Sequence, residues 1–144
     1  MNDPVHIVCP ACAAVNRIPR PRLTAAPKCG RCKAALFTGK PTELGASTFQ
    51  TFTARNDIPV VIDCWAPWCG PCLAMAPAFE QAARELEPNV RLAKLNTEDA
   101  QALGASLGIR SIPTLIFFSE GKEVARQAGA LSAADIVRWV KTHM

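Results

Sequence analysis

Apolar and polar positions change period several times along the chain, and each change marks an element. Val60–Trp65 (VVIDCW) is a near-continuous apolar run opened by Pro59, the pattern of a strand buried on both faces. Thr48 to Arg55 predicts a short helix before it. Cys72 to about Leu86 predicts a long helix after it, with Pro77 inside as a kink. Val90–Asn96 (VRLAKLN) alternates as a strand does, and Asp99–Leu107 reads as a short helix. Thr114–Ser119 (TLIFFS) and Glu123–Gln127 flank a Gly121-Lys122 turn and form a hairpin. Ser132 caps a last helix, with Asp135 three residues on in a capping-box-like position. This β-α-β-α-β-β-α order predicts an α/β domain over residues 41–144, a mixed central sheet covered by helices.

The first 38 residues follow no such pattern. They are rich in Pro, Arg and Cys, and their large apolar residues are Ile, Leu and one Phe. Burial alone cannot offset the entropy of ordering such a segment, so it needs a staple. Gly39-Lys40-Pro41 breaks the chain after it, which puts one module at 1–38 and another at 41–144. Charge divides at the same place: residues 1–40 hold seven Lys/Arg against Asp3, +6, whereas the rest hold nine against eleven acids, −2.

Hydrophobic residues make up 49% of the chain, enough for a packed globule and too many for a disordered one. No apolar run approaches the ~18–20 residues a membrane span needs. The start, MNDPVHIVCPAC, lacks the basic and apolar segments of a secretory signal, so a cytoplasmic protein is expected. In that reducing compartment seven cysteines point to metal or catalysis rather than to structural disulfides.

Six of the seven form three C-x-x-C pairs. Cys9/Cys12 and Cys29/Cys32 are separated by sixteen residues, the spacing of a zinc ribbon in which four thiolates close a tetrahedron with no open position for water. Gly30 is expected to permit the tight turn of the second knuckle. Local Arg and Lys residues would partly neutralise the net −2 of four thiolates and one Zn²⁺. Two redox disulfides or an iron site of similar knuckles fit the same spacing. A basic ribbon also suggests nucleic acid, through Arg17, Arg20, Arg22 and Arg31. No aromatic residues interleave these arginines for base stacking, and no reading helix is present.

The third pair, Cys69-Gly70-Pro71-Cys72, stands where a buried strand ends and a long helix begins. On the motif alone it could be half of a metal site. At a helix N-terminus, however, unpaired N–H groups and the helix dipole favour the Cys69 thiolate, and Cys72 in the first turn can reach it to close a disulfide. Asp63 is a carboxyl inside an apolar strand, costly unless paired or functional. Burial would raise its pKa and let it exchange a proton with Cys72; a purely structural pairing with Lys94 is the other reading. Cys64, facing away from Asp63, reads as a small core residue.

VVIDCWAPWCGPC, AKLN at 93–96, SIPTLIFF at 111–118 and GAL at 129–131 together resemble the thioredoxin family, from about Pro41 to Met144. A ribbon ahead of that domain is similar to the second, zinc-containing thioredoxins of bacteria. The resemblance implies a thioredoxin fold preceded by a small zinc ribbon, with one structural zinc ion and a redox-active Cys69–Cys72 disulfide but no organic cofactor. It implies reduction of protein disulfides in cell redox homeostasis, with recycling by an NADPH-dependent thioredoxin reductase, and a monomer that binds no membrane. It implies that the buried Asp63 serves Cys72, that Lys94 tunes the site electrostatically, and that the bond before Pro113 is cis. Ile112 would then offer its backbone to an extended substrate segment, and Trp68, Gly70, Pro71, Pro113, Gly129 and Ala130 would line an apolar groove, Gly129 doubling as a turn residue.

Two departures touch this expectation. Cys64 stands where many members carry an aromatic, and Thr97 stands where an apolar groove residue is common. His6 and His143 have no spacing that suggests catalysis. The rival readings are a nucleic-acid or protein docking ribbon with a passenger domain, and a disulfide oxidase or isomerase on the same fold. The Gly-Pro dipeptide between the active cysteines resembles that of reductases.

Overall fold

The computed structural model describes residues 3–144. Its centre is a five-stranded mixed sheet in the order β3-β5-β4-β6-β7, formed by β3 (Thr42–Leu44), β4 (Val60–Trp65), β5 (Arg91–Asn96), β6 (Thr114–Ser119) and β7 (Lys122–Ala128). β3, β5 and β4 run parallel, whereas β6 is antiparallel to both β4 and β7. The apolar run of β4 buries every residue from Val60 to Cys64, as a central strand must.

Helices cover both faces. α1 (Phe49–Arg55) and α3 (Gln101–Ser106) lie over Val60, Ile62, Cys64, Leu95, Ile116 and Phe118. α2 (Gly70–Leu86) and α4 (Ala133–His143) cover Val61, Leu92, Leu115 and Phe117. α2 buries Cys72, Met75, Phe79, Ala82, Ala83 and Leu86, spaced by one, three and four residues so that they share one stripe. It runs unbroken through Pro77, which is exposed. Ser132 caps α4 by accepting from the Asp135 N–H at 3.2 Å, while the Asp135 carboxylate turns outward to Arg138.

The N-terminal segment holds strands that its pattern does not predict. β1 (Pro4–Val8) and β2 (Val15–Pro19) pair antiparallel, and a single 3₁₀ turn spans Arg20–Arg22. Their apolar residues are too few and too short-range to register as a period. They bury Val5 and Ile7 in a small core with Cys9, Leu23, Cys29 and Leu36, to which the sheet domain lends Ile58. The third unpredicted strand is β3, three residues at the sheet edge.

Contacts cross the Gly39-Lys40-Pro41 break freely. Val8 belongs to the core of the large sheet. Its N–H donates to Asn56 Oδ1 at 2.8 Å, and its carbonyl accepts from Arg91 Nη2 at 3.1 Å. Arg91 also donates to the Leu36 carbonyl at 2.8 Å, sits 4.6 Å over the Phe37 ring, and pairs with Glu87 at 3.3 Å, all with the guanidinium 1% exposed. His6, which has no catalytic spacing, has a structural contact instead: its ring and backbone N–H reach Asp57 Oδ2 at 2.8 and 2.7 Å. Arg91 opens β5 beside Val60, at the start of the central strand, whereas the C-x-x-C pair follows the strand's far end. The ribbon therefore sits at the pole opposite the redox pair, with about 17 Å of strand between them.

Candidate redox site and metal centre

β4 ends at Trp65, the chain turns through Ala66-Pro67-Trp68, and α2 starts at Gly70 with Cys69 as its N-cap. Cys69 and Cys72 are joined as a disulfide with Cα atoms 5.2 Å apart. Cys69 Sγ accepts from the Cys72 N–H at 3.3 Å, so the helix terminus faces this sulfur and would stabilise negative charge on it. Both sulfur-bearing residues are nearly buried among Ala66, Trp65 and Ile112, whereas Trp68 beside them is 70% exposed.

Opposite the disulfide, the Ile112–Pro113 bond is cis, and the Ile112 carbonyl oxygen lies 3.7 Å from Cys69 Sγ. The Gly129 N–H donates to the Pro113 carbonyl at 2.9 Å, with Gly129 at φ 99°, a conformation open to glycine. A cavity of about 350 Å³ adjoins the pair, bounded by Trp68, Thr97, Gly104, Ile109, Arg110 and Ile112. Of the expected groove residues it therefore contains Trp68 and Ile112. Gly70, Pro71, Gly129 and Ala130 are exposed but lie outside that cavity, and Pro113 is buried. Thr97 turns its hydroxyl inward to the Trp65 carbonyl at 3.0 Å, which leaves its methyl group to the groove.

On the α2-covered face of β4, Asp63 is fully buried, and neither carboxylate oxygen has a hydrogen-bond partner among the described residues. Burial pushes its pKa up to about 7; Lys94 opposes this and Glu43 adds to it. The ion pair that a structural reading of Asp63 requires is not formed, because Lys94 Nζ sits over the Trp65 ring at 4.3 Å instead. Cys64 points to the other face among Ile62, Leu95 and Phe49, where burial, reinforced by Asp63, raises its thiol to about 12. That environment holds an inert thiol.

The other four cysteines gather at the ribbon's end. Their sulfurs lie within 4.8 Å of one another, with Cys9–Cys32 at 3.6 Å and Cys12–Cys29 at 3.7 Å. A tetrahedron with zinc–sulfur bonds of ~2.3 Å has edges of about 3.8 Å, so the donor set fits one tetrahedral ion. Backbone N–H groups of Ala11 and Arg31 point at Cys9 and Cys29 at 3.3 and 3.4 Å, and Asn16 reaches Cys29 at 3.5 Å. The left-handed positions of the two knuckles are Ala13 and Lys33, just past each second cysteine. Gly30 is not among the positive-φ residues, and a Cβ there would make only an ordinary 3.7 Å contact with Asn16. Its expected role in the turn is thereby corrected.

A mixed sheet of this order, with a C-x-x-C disulfide capping the helix after its central strand, defines a class: the thiol–disulfide oxidoreductases. Comparison with known proteins narrows it. Residues 40–142 match the family model described as Thioredoxin, and residues 8–34 match that described as Thioredoxin 2, N-terminal, a zinc ribbon. The chain belongs to the thioredoxin family. It is 45% identical over 134 residues to Thioredoxin C-3 of Corynebacterium nephridii, covering 93% of this chain and 92% of that one. Thioredoxin of Haemophilus influenzae is 41% identical over 96 residues, 67% of this chain and 90% of its own. A mutant thioredoxin from Halobacterium salinarum superposes with a TM-score of 0.67 at 27% identity, covering 74% of this chain and 93% of that structure. Chloroplastic thioredoxin z gives a TM-score of 0.67 at 30% identity over 72% of this chain and 93% of its own. The activity shared at these identities is thiol–disulfide exchange. Among the described residues, no helix is long and apolar enough to cross a membrane.

Proposed function

We propose that the protein reduces disulfides of cytoplasmic proteins through Cys69 and Cys72, as a monomer recycled by an NADPH-dependent thioredoxin reductase, and so contributes to cell redox homeostasis. The observation that carries this is the sulfur of Cys69 at the N-terminus of α2, within 3.3 Å of the Cys72 N–H and beside the exposed Trp68.

In the reduced protein the Cys69 thiolate attacks one sulfur of the substrate disulfide. That bond breaks, a substrate thiolate leaves, and a mixed disulfide to Cys69 remains. Cys72 then gives its proton to the Asp63 carboxylate and attacks Cys69 Sγ, releasing the second substrate thiolate and leaving the Cys69–Cys72 disulfide. A group poised near neutral pH suits that proton transfer, and Asp63 at about 7 is so poised. Lys94 acts on Asp63 by charge. The Ile112 backbone would pair with an extended substrate, and Trp68, Gly70, Pro71, Pro113, Gly129 and Ala130 would form the rest of the groove.

Cys9, Cys12, Cys29 and Cys32 would hold one structural zinc ion, which supplies folding energy and no catalytic water. The ribbon is taken as residues 1–38 and the redox domain as 41–144, consistent with the two matched family spans. The test is insulin reduction with purified reductase and NADPH, alongside metal analysis. Cys72→Ser should trap mixed disulfides through Cys69 and Cys69→Ser should trap none; equal trapping by both would refute the assignment.

A further inference from the structure

Each substrate turnover leaves a proton on Asp63, which has no exposed surface; the proton goes back to Cys72 when the disulfide is reduced again, or out to solvent. The surroundings of Asp63 restrict where it can go. On the β6 side its register partner is Leu115, and along its own strand Val61 precedes it on the same face. α4, packed beside α2 on this face, buries Ile136 and Val140, and its Trp139 and His143 rings lie against Phe117, the register partner of Val61 rather than of Asp63. α2 itself brings Cys72, Met75 and Phe79 over the strand. The side toward β5 and β3 is different. Lys94 is the register partner of Asp63, and Glu43 is the register partner of Lys94, so the three stand in one row across three parallel strands and on one face. The row runs from a fully buried acid, through a half-buried lysine, to an exposed acid at the sheet edge. A cavity of about 320 Å³ opens there, lined by Lys40, Pro41, Glu43, Ala76, Glu80 and Lys94. Ala76 is the small residue among its lining side chains, where a larger one would take up space.

We propose that this cavity is the proton port of the redox pair, and that Glu43 is a positioning residue that sets the proton affinity of Asp63 through Lys94. The inference rests on the reductase reading above and adds to it the route and the residue. Burial raises the proton affinity of Asp63 most, and the charge of Lys94 works against it. Glu43, on the far side of the same lysine, offsets that charge. The signs are accordingly opposed: Lys94 lowers the proton affinity of Asp63 and Glu43 raises it. Glu80, on the helix wall of the port, is outside the strand row and serves as the control for a mere change of net charge.

The test uses the full, zinc-loaded and reduced chain labelled with ¹³C at aspartate, in which the Asp63 carboxyl is titrated directly by NMR. Glu43→Gln should lower the Asp63 midpoint by about half a unit to one unit, the size expected of one partly screened charge. Lys94→Gln should raise it, and Glu80→Gln should move it by less than about a third of the Glu43 shift. Because Glu43 is exposed, its effect should shrink at 1 M salt, where the Debye length is about 3 Å. The acid limb of the pH profile for insulin reduction should move with the midpoint. Three results would overturn the proposal: no shift in Glu43→Gln, an equal shift in Glu80→Gln, or a shift indifferent to salt. Filling the port with Ala76→Leu supplies an independent reading, slowing turnover below neutral pH while leaving the single-turnover attack by Cys69 unchanged; equal slowing of both would sink the port. A chain that shows the midpoint shifts yet never reduces insulin would instead refute the reductase reading alone.

Discussion

The chain uses the C-x-x-C spacing three times, and the ribbon and the redox site turn it to opposite ends. At the redox site the residues after Cys69 enter a helix, so the two sulfurs of one motif face each other and Cys69 also faces a helix terminus. In the ribbon each second cysteine is followed by a left-handed residue, Ala13 or Lys33, which folds the chain back. The close sulfur pairs are then made between motifs, Cys9 with Cys32 and Cys12 with Cys29. Spacing sets the reach of two thiols; the backbone conformation just after them decides whether they meet each other or share a third party. The two regions differ in support as well. The sheet domain packs cores on both faces of β4, while the ribbon core is so small that it borrows Ile58 and leans on Arg91.

The largest effect that would sharpen this contrast is metal removal. Zinc held by the four thiolates would supply roughly 10–16 kcal/mol of apparent binding energy. A strong chelator should therefore abolish hydrogen-exchange protection in β1 and β2 while the amides of β4 and β6 stay protected. Loss of protection in both regions together would show that they are one cooperative unit. Next comes the proposed nucleophile: Cys69→Ser should cut insulin reduction by roughly 10³-fold or more, as removal of a covalent nucleophile does, with zinc content unchanged. A parallel loss of zinc would break the separation of roles.

Arg91→Ala leaves Glu87 buried without its cation, with only the Gly39 N–H still donating to it, and two ribbon carbonyls without the Arg91 donor. It should cost about 3–5 kcal/mol in chemical denaturation, with the ribbon exchanging first. An unchanged midpoint would mean that the two modules are merely adjacent.

Asp63→Asn should do the reverse and stabilise the reduced protein. The folded state holds the Asp63 proton up to about pH 7, whereas an unfolded carboxyl loses it near 4. Stability of the parent therefore declines as pH rises between those values and stays lower above them. The gain from Asn should be absent below about pH 4 and reach on the order of 2–4 kcal/mol above pH 7; a gain independent of pH would contradict the assignment. The smallest effect is Ser132→Ala, which removes the α4 cap and should lower stability by about 1 kcal/mol without touching activity or zinc.

By itself the sequence determined the parts whose physics is local. Six cysteines at two informative spacings, the continuous apolar run of β4, the stripe on α2 and the Ser132 cap were each legible, because spacing and periodicity act within a few residues. Asp63 was legible as well, since a carboxyl within an apolar strand is conspicuous. The tertiary structure alone decided the rest. β3 is three residues long and earns its place only by pairing with β5, and β1 and β2 are held by a core completed from outside their own segment. Arg91 reads in sequence as one charge at the start of an alternating strand; its partners Val8 and Leu36 are 83 and 55 residues away. Glu43, Lys94 and Asp63 are likewise unrelated along the chain and become a row only when three strands align. Charge, unlike hydrophobic periodicity, leaves no local trace of its partner, so electrostatic relations of this reach become visible only once the sheet is assembled.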